Sequence, residues 1–100
     1  MVRTNVEYIL CAAIYYPGDE ETVHGPIPFP TGVVLTGWRH HQIIELYHVL
    51  TGKKSNTPGV VQGFLTNKNR FVGRKEAGKI AFNADQTVEI HHELTSEDLY

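Results

Sequence analysis

The segment covering residues 6–16 constrains the fold most, because it is almost entirely apolar and rich in residues that favour β-structure. Val6, Ile9 and Ile14 are β-branched, and three tyrosines occur in the same stretch. Such a run predicts a strand that is buried on both faces over part of its length. The chain has 100 residues, so we expect a single domain, residues 1–100, with a modest core.

Turn and strand signals alternate through the next third of the chain. Pro17-Gly18-Asp19 predicts a turn, after which residues 20–24 are suited to a short partner strand. Residues 25–32 hold three prolines in alternation and predict an extended, stiff loop, because proline cannot donate a ladder hydrogen bond. Further strands are predicted at residues 33–36 and 60–66.

Two amphipathic helices complete the pattern. Residues 40–50 place Ile43, Tyr47 and Leu50 on one stripe, and Gly52 follows as a stop signal. Residues 74–84 predict a second helix, in which Gly78 costs ~1 kcal/mol relative to Ala and therefore suggests that another backbone packs close to it. Residues 87–93 alternate as a strand does. The chain thus predicts an α+β fold, a small antiparallel β-sheet packed with two α-helices.

Composition excludes several classes of protein. A formal net charge of −2 and a sequence pI of about 6.3 argue against a general DNA or RNA binder. Cys11 is the only cysteine, so no intramolecular disulfide is expected, and we interpret it as a small buried hydrophobe in a reducing compartment. The sequence lacks a signal-peptide pattern and any apolar run of ~20 residues, which predicts a cytoplasmic protein without a membrane partner.

Basic residues occur where the first helix is predicted to begin. Trp38-Arg39-His40-His41 follows Gly37, although a helix N-terminus favours anions rather than cations. Arg39, His40 and His41 would suit a bound phosphate at that helix start. The alternative is a solvated turn before the helix.

A second concentration of candidate residues lies between residues 62 and 85. Arg70 and Arg74 carry guanidinium groups, which hold phosphates in a planar fork, and Phe64 and Phe71 carry rings that stack on bases. The alternative is a strand, a turn and a helix whose aromatic residues belong to the core.

Polar residues also end the second predicted helix. The side chains of Asn83 and Asp85 suit ribose hydroxyls or a purine edge. The alternative for Asn83 is a helix C-cap.

Metal and catalytic patterns are weak. His41 and His48 are seven residues apart rather than three or four, and His91 and His92 would point to opposite sides of a strand. We therefore expect neither a metal nor another cofactor. A phosphodiesterase with His40 or His41 as general base is conceivable, but the spacing does not require it.

Short motifs spread over residues 6–100 resemble the first type of Thoeris anti-defence proteins of phages. They are Gly37-Trp38-Arg39-His40-His41, Gln62-Gly63-Phe64-Leu65-Thr66, Asn69-Arg70-Phe71-Val72 with Arg74-Lys75-Glu76-Ala77, Ile80-Ala81, and the acidic end Ser96-Glu97-Asp98-Leu99-Tyr100. Gly73 stands where that family often has Asp, and Trp38 where it often has a second Arg. These departures concern ligand choice rather than the fold.

The resemblance implies a sponge, a protein that binds cyclic ADP-ribose isomers without cleaving them, in the host bacterial cytoplasm. Related sponges also hold cyclic oligonucleotides, so cyclic di- or trinucleotides are a second ligand class. Arg39 with Arg70 or Arg74 would neutralise the pyrophosphate, Phe71 or Phe64 would stack on adenine, Asn83 and Asp85 would hold ribose, and Thr66 belongs to the matching strand. A homo-oligomer, a dimer or hexamer, is expected because so short a chain cannot enclose the ligand alone.

Two other functions remain open from the residues. One is a small histidine-based nucleotide hydrolase. The other is an inhibitor that blocks a host protein directly through an exposed apolar surface, for which Ile27, Phe29 and Leu99 are the candidates.

Overall fold

The computed structural model of the chain describes residues 6–21, 26–54 and 58–99. Within these ranges the elements follow the order strand, strand, helix, strand, strand, helix. They are β1 (Ile9–Glu21), β2 (Thr31–Gly37), α1 (His40–Thr51), β3 (Val61–Thr66), β4 (Phe71–Gly73), α2 (Arg74–Asn83) and a short 3₁₀-helix (Ser96–Asp98). The predicted α+β class is confirmed.

The four strands form one antiparallel sheet in the order β2-β1-β3-β4. β1 is central and pairs with β2 through Ala13 opposite Thr36, and with β3 through Ala13 opposite Gly63. β4 extends the sheet by pairing Gly63 with Gly73. Three strands therefore meet at the level of Gly63, and β4 leads directly into α2.

The helices cover one face of this sheet. β1 contributes Ala12, Ile14 and Tyr16 to the core, and β3 contributes Phe64, which is fully buried. The helices and the C-terminal segment supply the facing side chains, and the ring of Tyr47 stacks on Tyr16 with centroids 3.8 Å apart. These facing residues are Ile43 from α1, Ala77 and Ala81 from α2, and Leu94.

The proline-rich segment covers the other face. Phe29 stacks on Tyr15 with ring centroids 3.7 Å apart and meets the edge of Phe71 at 5.1 Å. The backbone of Ile27 also pairs with β4, since its N–H donates to Asn69 O at 2.8 Å and its carbonyl accepts from Phe71 N at 2.7 Å. Within the predicted loop, residues 26–30 thus shield a sheet face and the start of β4, whereas Thr31 and Gly32 belong to β2 and were wrongly predicted as loop.

The turn predicted at Pro17-Gly18-Asp19 is wrong, because β1 continues to Glu21. The pairing of β1 with β2 is irregular between Tyr16 and Glu21, so Pro17 lies where no regular ladder needs its missing N–H. Glu20 and Glu21, predicted to start a partner strand, extend β1. The rest of that prediction, residues 22–24, lies outside the described residues.

The strand predicted over residues 87–93 is also wrong, because this segment is irregular. Ile27 forms an isolated bridge with Arg70, directly before β4, and accepts a hydrogen bond from Phe71 N. Val88 and Ile90, the apolar residues behind the prediction, are 96% and 53% exposed. The alternating apolar residues therefore do not form the buried face of a strand. The segment packs against α2, where the His91 backbone contacts Gly78.

Helix positions were predicted well. α1 begins at His40 and is followed by Gly52 in the left-handed conformation with φ 70°. The close packing predicted at Gly78 is confirmed, since the residue is buried and a Cβ built there would collide with the carbonyl oxygen of His91.

No helix among the described residues is long and apolar enough to cross a membrane. Cys11 is half-buried rather than fully buried. Burial raises the pKa of its thiol, although hydrogen bonds with Thr36 and Gly37 offset part of that effect. The raised pKa fits the interpretation of Cys11 as an unreactive side chain.

Gly78→Ala tests the close packing of α2. Alanine in a helix interior usually stabilises relative to glycine, but here the added methyl group meets the His91 backbone. We expect the free energy of unfolding to fall by about 1–3 kcal/mol in chemical denaturation.

Gly73→Ala is the matched control, because a Cβ at Gly73 meets nothing within 4 Å. Its effect should stay below about 1 kcal/mol. If Gly78→Ala stabilised the protein instead, the contact between α2 and His91 would be refuted.

Candidate anion-binding site

The two helices begin beside the same point of β3. His40 is the first residue of α1, and its ring Nε2 lies 2.7 Å from the carbonyl oxygen of Gly63. Gly63 pairs with Gly73, the residue that precedes α2. Two helix N-termini from distant parts of the sequence are therefore held around one position of the sheet.

Five side chains converge there and form what we call the helix-start cluster. Arg74 Nη2 donates to Gln62 Oε1 at 2.6 Å, and Arg39 Nη1 lies 3.5 Å from Glu97 Oε1 in the C-terminal 3₁₀-helix. The charges of both Arg74 and Glu97 act on His40, so the three are close in space. The cluster comprises Arg39, His40, Gln62, Arg74 and Glu97.

His40 is held in its neutral form. Burial lowers the pKa of its imidazole, the hydrogen bond with the Gly63 carbonyl opposes this, the charge of Arg74 lowers the pKa further and that of Glu97 raises it. Because a carbonyl oxygen only accepts, Nε2 must carry the proton of this hydrogen bond. That nitrogen therefore positions α1 and is not available as a general base.

The electrostatics of the cluster suit an anion. At the start of α1, Gln42 Oε1 accepts the backbone N–H of Arg39 at 3.2 Å, and no acidic residue lies in the first turn. At the start of α2, the N-cap residue Gly73 has no side chain to cap the helix, and Glu76 lies in the first turn. Arg74 Nε is buried and has no hydrogen-bond partner among the residues that the structure describes. The carboxylate of Glu97 is 65% exposed, so a ligand can displace it from Arg39 at little cost.

Arg70 lies in a separate network. Its Nε and Nη2 donate to the two oxygens of the Glu7 carboxylate at 2.9 and 3.1 Å, and Nη2 also donates to Glu76 at 2.7 Å. Thr66 is buried and donates its hydroxyl to Glu7 at 2.7 Å. Arg70 and Thr66 thus join the chain before β1 to the β3–β4 turn and to α2, and a phosphate on Arg70 would compete with two carboxylates.

The pKa of Glu7 reflects this network. Burial alone would raise it, but hydrogen bonds from Arg70 and Thr66, with the charges of Arg70 and Lys68, lower it overall. Arg70 itself has a raised pKa, chiefly through its hydrogen bonds to Glu7 and Glu76. Both shifts describe a charged pair that stabilises the fold above the ordinary pKa of a glutamate and weakens as pH falls through the lowered value.

The two candidate phenylalanines point to opposite faces of the sheet. Phe64 is fully buried under α1, where its ring meets His40 edge-on with centroids 5.0 Å apart. Phe71 is 8% exposed and lies against Phe29 under the proline-rich segment. Both rings belong to packed regions, so stacking a base on either requires neighbouring side chains to move.

The remaining predicted residues are His41, next to His40 on α1, and Asn83 and Asp85, which lie apart from the cluster. His41 is exposed on α1. Asn83 is the last residue of α2, and Asp85 follows it with φ 60°, donating its backbone N–H to Phe82 O at 3.1 Å. α2 has 10 residues and is therefore about 15 Å long, which separates both residues from Arg74 at its other end.

Sequence reasoning indicated Arg39, Arg70 and Arg74 as candidates but overlooked one polar partner of each. Gln62 and Glu97 were seen only as parts of motifs, and Glu7 was not singled out. Both glutamates are visible in the sequence, Glu7 before the first strand and Glu97 in the acidic tail. Each pairs with an arginine far away along the chain, so no local pattern indicates the pair. Among the described residues, no group of three or more potential metal ligands occurs.

A protein-family model described as "Phage T4 y16D protein" matches residues 8–100. The chain belongs to the phage T4 y16D protein family. It is therefore a phage protein, and the match includes every helix and strand described above. Searches of curated proteins and of solved structures gave no significant match.

The buried histidine of this y16D family member makes stability depend on pH. Because the pKa of His40 is lowered from 6.5, the unfolded chain binds a proton there at a higher pH than the native state does. His40 therefore reduces the free energy of unfolding as the pH falls below about 6.5. His40→Gln keeps a donor for the Gly63 carbonyl and removes the titration.

We expect the free energy of unfolding to fall more steeply for the wild type than for His40→Gln between about pH 7.5 and about pH 5.5. Denaturation curves across this range measure both slopes, so an overall loss of stability in the variant does not obscure the result. Parallel slopes would contradict the burial of a neutral His40.

Proposed function

We propose that this phage protein is a non-catalytic sponge that sequesters cyclic nucleotide immune signals and so blocks anti-phage defence. Cyclic ADP-ribose isomers are the first ligand class, and cyclic di- or trinucleotides are the second. One observation carries the proposal: the starts of two helices converge with Arg39 and Arg74, and the buried Nε of Arg74 has no hydrogen-bond partner among the described residues. Membership in a phage protein family supports the proposed setting.

The chemistry of the cluster suits a pyrophosphate. Arginine holds phosphate oxygens through parallel N–H groups, and helix N-termini add backbone N–H donors and a favourable dipole. In the proposed complex the Arg74 side chain shifts so that Nε, which is buried in the free protein, donates to one phosphate, while Arg39 leaves Glu97 and donates to the other. Gln62 keeps Arg74 in position through its hydrogen bond of 2.6 Å.

Sequestration, rather than turnover, fits the state of His40. A general base must present an unprotonated nitrogen to the substrate, whereas His40 is only 7% exposed and its Nε2 donates to a backbone carbonyl within the fold. Hydrogen bonds to Gly63 and Gln62 of β3 hold His40 and Arg74 in place, and such preorganisation favours tight binding with slow release. Hydrolysis with His41 as base remains the enzymatic alternative.

A homo-oligomer is part of the proposal. The helix-start cluster lies at the surface of a chain too small to surround a cyclic dinucleotide, so a second subunit would complete the enclosure. Leu99 is half-buried and packs against the core, which leaves less of it for such a contact than the sequence suggested. A dimer or a hexamer remains the expected assembly, and light scattering of the purified protein would measure it.

Direct blocking of a host protein is the other alternative. Ile27 is 59% exposed, as that function requires, but Phe29 is stacked between Tyr15 and Phe71. The exposed part of the predicted apolar surface is therefore smaller than the sequence indicated. An inhibitor of this kind would bind no cyclic nucleotide.

Arg74→Gln tests the proposed site. We expect wild-type protein, screened against cyclic ADP-ribose isomers and cyclic di- and trinucleotides, to gain ~2.7 kcal/mol of stability at a hundredfold excess of ligand over Kd. Arg74→Gln should lower the affinity by about tenfold or more, because it removes a charged hydrogen bond from the anion. Thermal shift and calorimetry measure these effects.

Lys54→Gln is the matched control, since it removes one positive charge at an exposed position after α1. Chromatography of the ligand after denaturing the complex distinguishes the alternatives: intact ligand supports a sponge and new products support an enzyme. If no ligand shifts the melting temperature, the proposal fails in favour of a protein-blocking inhibitor.

A further inference from the structure

A second basic groove lies along α2 and shares no residue with the helix-start cluster. Its volume is about 440 Å³, which falls within the range of small-molecule sites, ~300–1,000 Å³. The residues that line it are Lys75, Lys79, Ile90, His91 and His92. Both histidines had no role in the sequence analysis.

The groove depends on the small size of Gly78. Its missing side chain lets the backbone of His91 lie against α2, and Leu94 N donates to Arg74 O at 3.0 Å further along the same helix. The irregular segment around residues 90–92 is thereby held next to Lys75 and Lys79. These lysines are four positions apart and therefore project from the same side of the helix.

The side chains that line the groove are basic or apolar. None of the residues lining it is acidic, although the chain as a whole has a formal net charge of −2. Within the described part of the chain, neither Lys75 nor Lys79 forms an ion pair. The two lysines gather positive charge in a concave site, and such charge attracts a compact anion. One lining residue, His91, lies next to a carboxylate, that of Asp98.

Two further contacts decide what kind of anion fits. His91 Nδ1 lies 3.7 Å from Asp98 Oδ2, which also accepts hydrogen bonds from the backbone N–H and hydroxyl of Thr95. Asp98 is therefore held outside the groove and orients the His91 ring. Ile90 is 53% exposed and gives the groove one apolar wall, which an inorganic ion does not use.

We propose that this groove binds a phosphomonoester. Lys75, Lys79 and an imidazole N–H of His92 hold the phosphate, while His91, whose Nδ1 faces Asp98, lines the groove beside it. The organic part of the ligand lies against Ile90. The site stands independently of the sponge function, because it uses different residues and a different face of α2.

The test follows the histidine ring signals by NMR while phenyl phosphate or inorganic phosphate is added at constant ionic strength. We expect saturable shifts at His91 and His92, with phenyl phosphate binding more tightly than inorganic phosphate because of Ile90. Lys75→Gln with Lys79→Gln should weaken binding about tenfold. Lys79→Gln alone, at an exposed helix position, provides a second variant if the double variant folds poorly.

Lys53→Gln with Lys54→Gln removes the same charge elsewhere and should leave the affinity unchanged. Arg39→Gln should also leave it unchanged, which separates this site from the helix-start cluster. Shifts that do not saturate, or equal loss in both double variants, would overturn the site. Equal affinity for phenyl phosphate and inorganic phosphate would refute the proposal that the ligand has an organic part bound by Ile90.

Discussion

The hydrogen bond between His40 and the Gly63 carbonyl organises this protein. It fixes the start of α1 to Gly63 of β3. Gly63 pairs in turn with Gly73, the residue directly before α2. Gly63 is needed there, because a Cβ at that position would collide with the backbone of Val72 and lie within 3 Å of the Phe71 ring. The burial of His40, the placement of both arginines and the packing of Phe71 all depend on this one point of the sheet.

The sequence predicted what local patterns control. α1 and its glycine stop, the β3 strand, the α+β class and the close approach at Gly78 follow from periodicity, propensity and the cost of glycine in a helix. Two local predictions failed for non-local reasons. Pro17 is accommodated by an irregular pairing of β1 with β2, and residues 87–93 lie against α2, where Gly78 lets the backbone of His91 approach.

The candidate site could be predicted only in part. Sequence analysis indicated basic residues at both helix starts, but whether two such starts meet is set by the register of β3 and β4. It also treated Arg70 and Arg74 as equivalent. The fold separates them, since Arg70 is engaged by Glu7 and Glu76, whereas Arg74 keeps a buried Nε without a partner among the described residues. The pairing of Arg70 with Glu7 joins residues far apart in the chain, so no local sequence pattern could predict it.

The Nε–H signals of the arginines in a nitrogen-15 NMR spectrum test this distinction most directly. During titration with a cyclic ADP-ribose isomer, the Nε–H signals of Arg39 and Arg74 should shift as their hydrogen bonds to phosphate form. Arg70 should not shift, because its Nε already donates to Glu7 at 2.9 Å. A shift confined to Arg70, or none at any arginine when the ligand is in excess, would contradict an anion site at the helix starts.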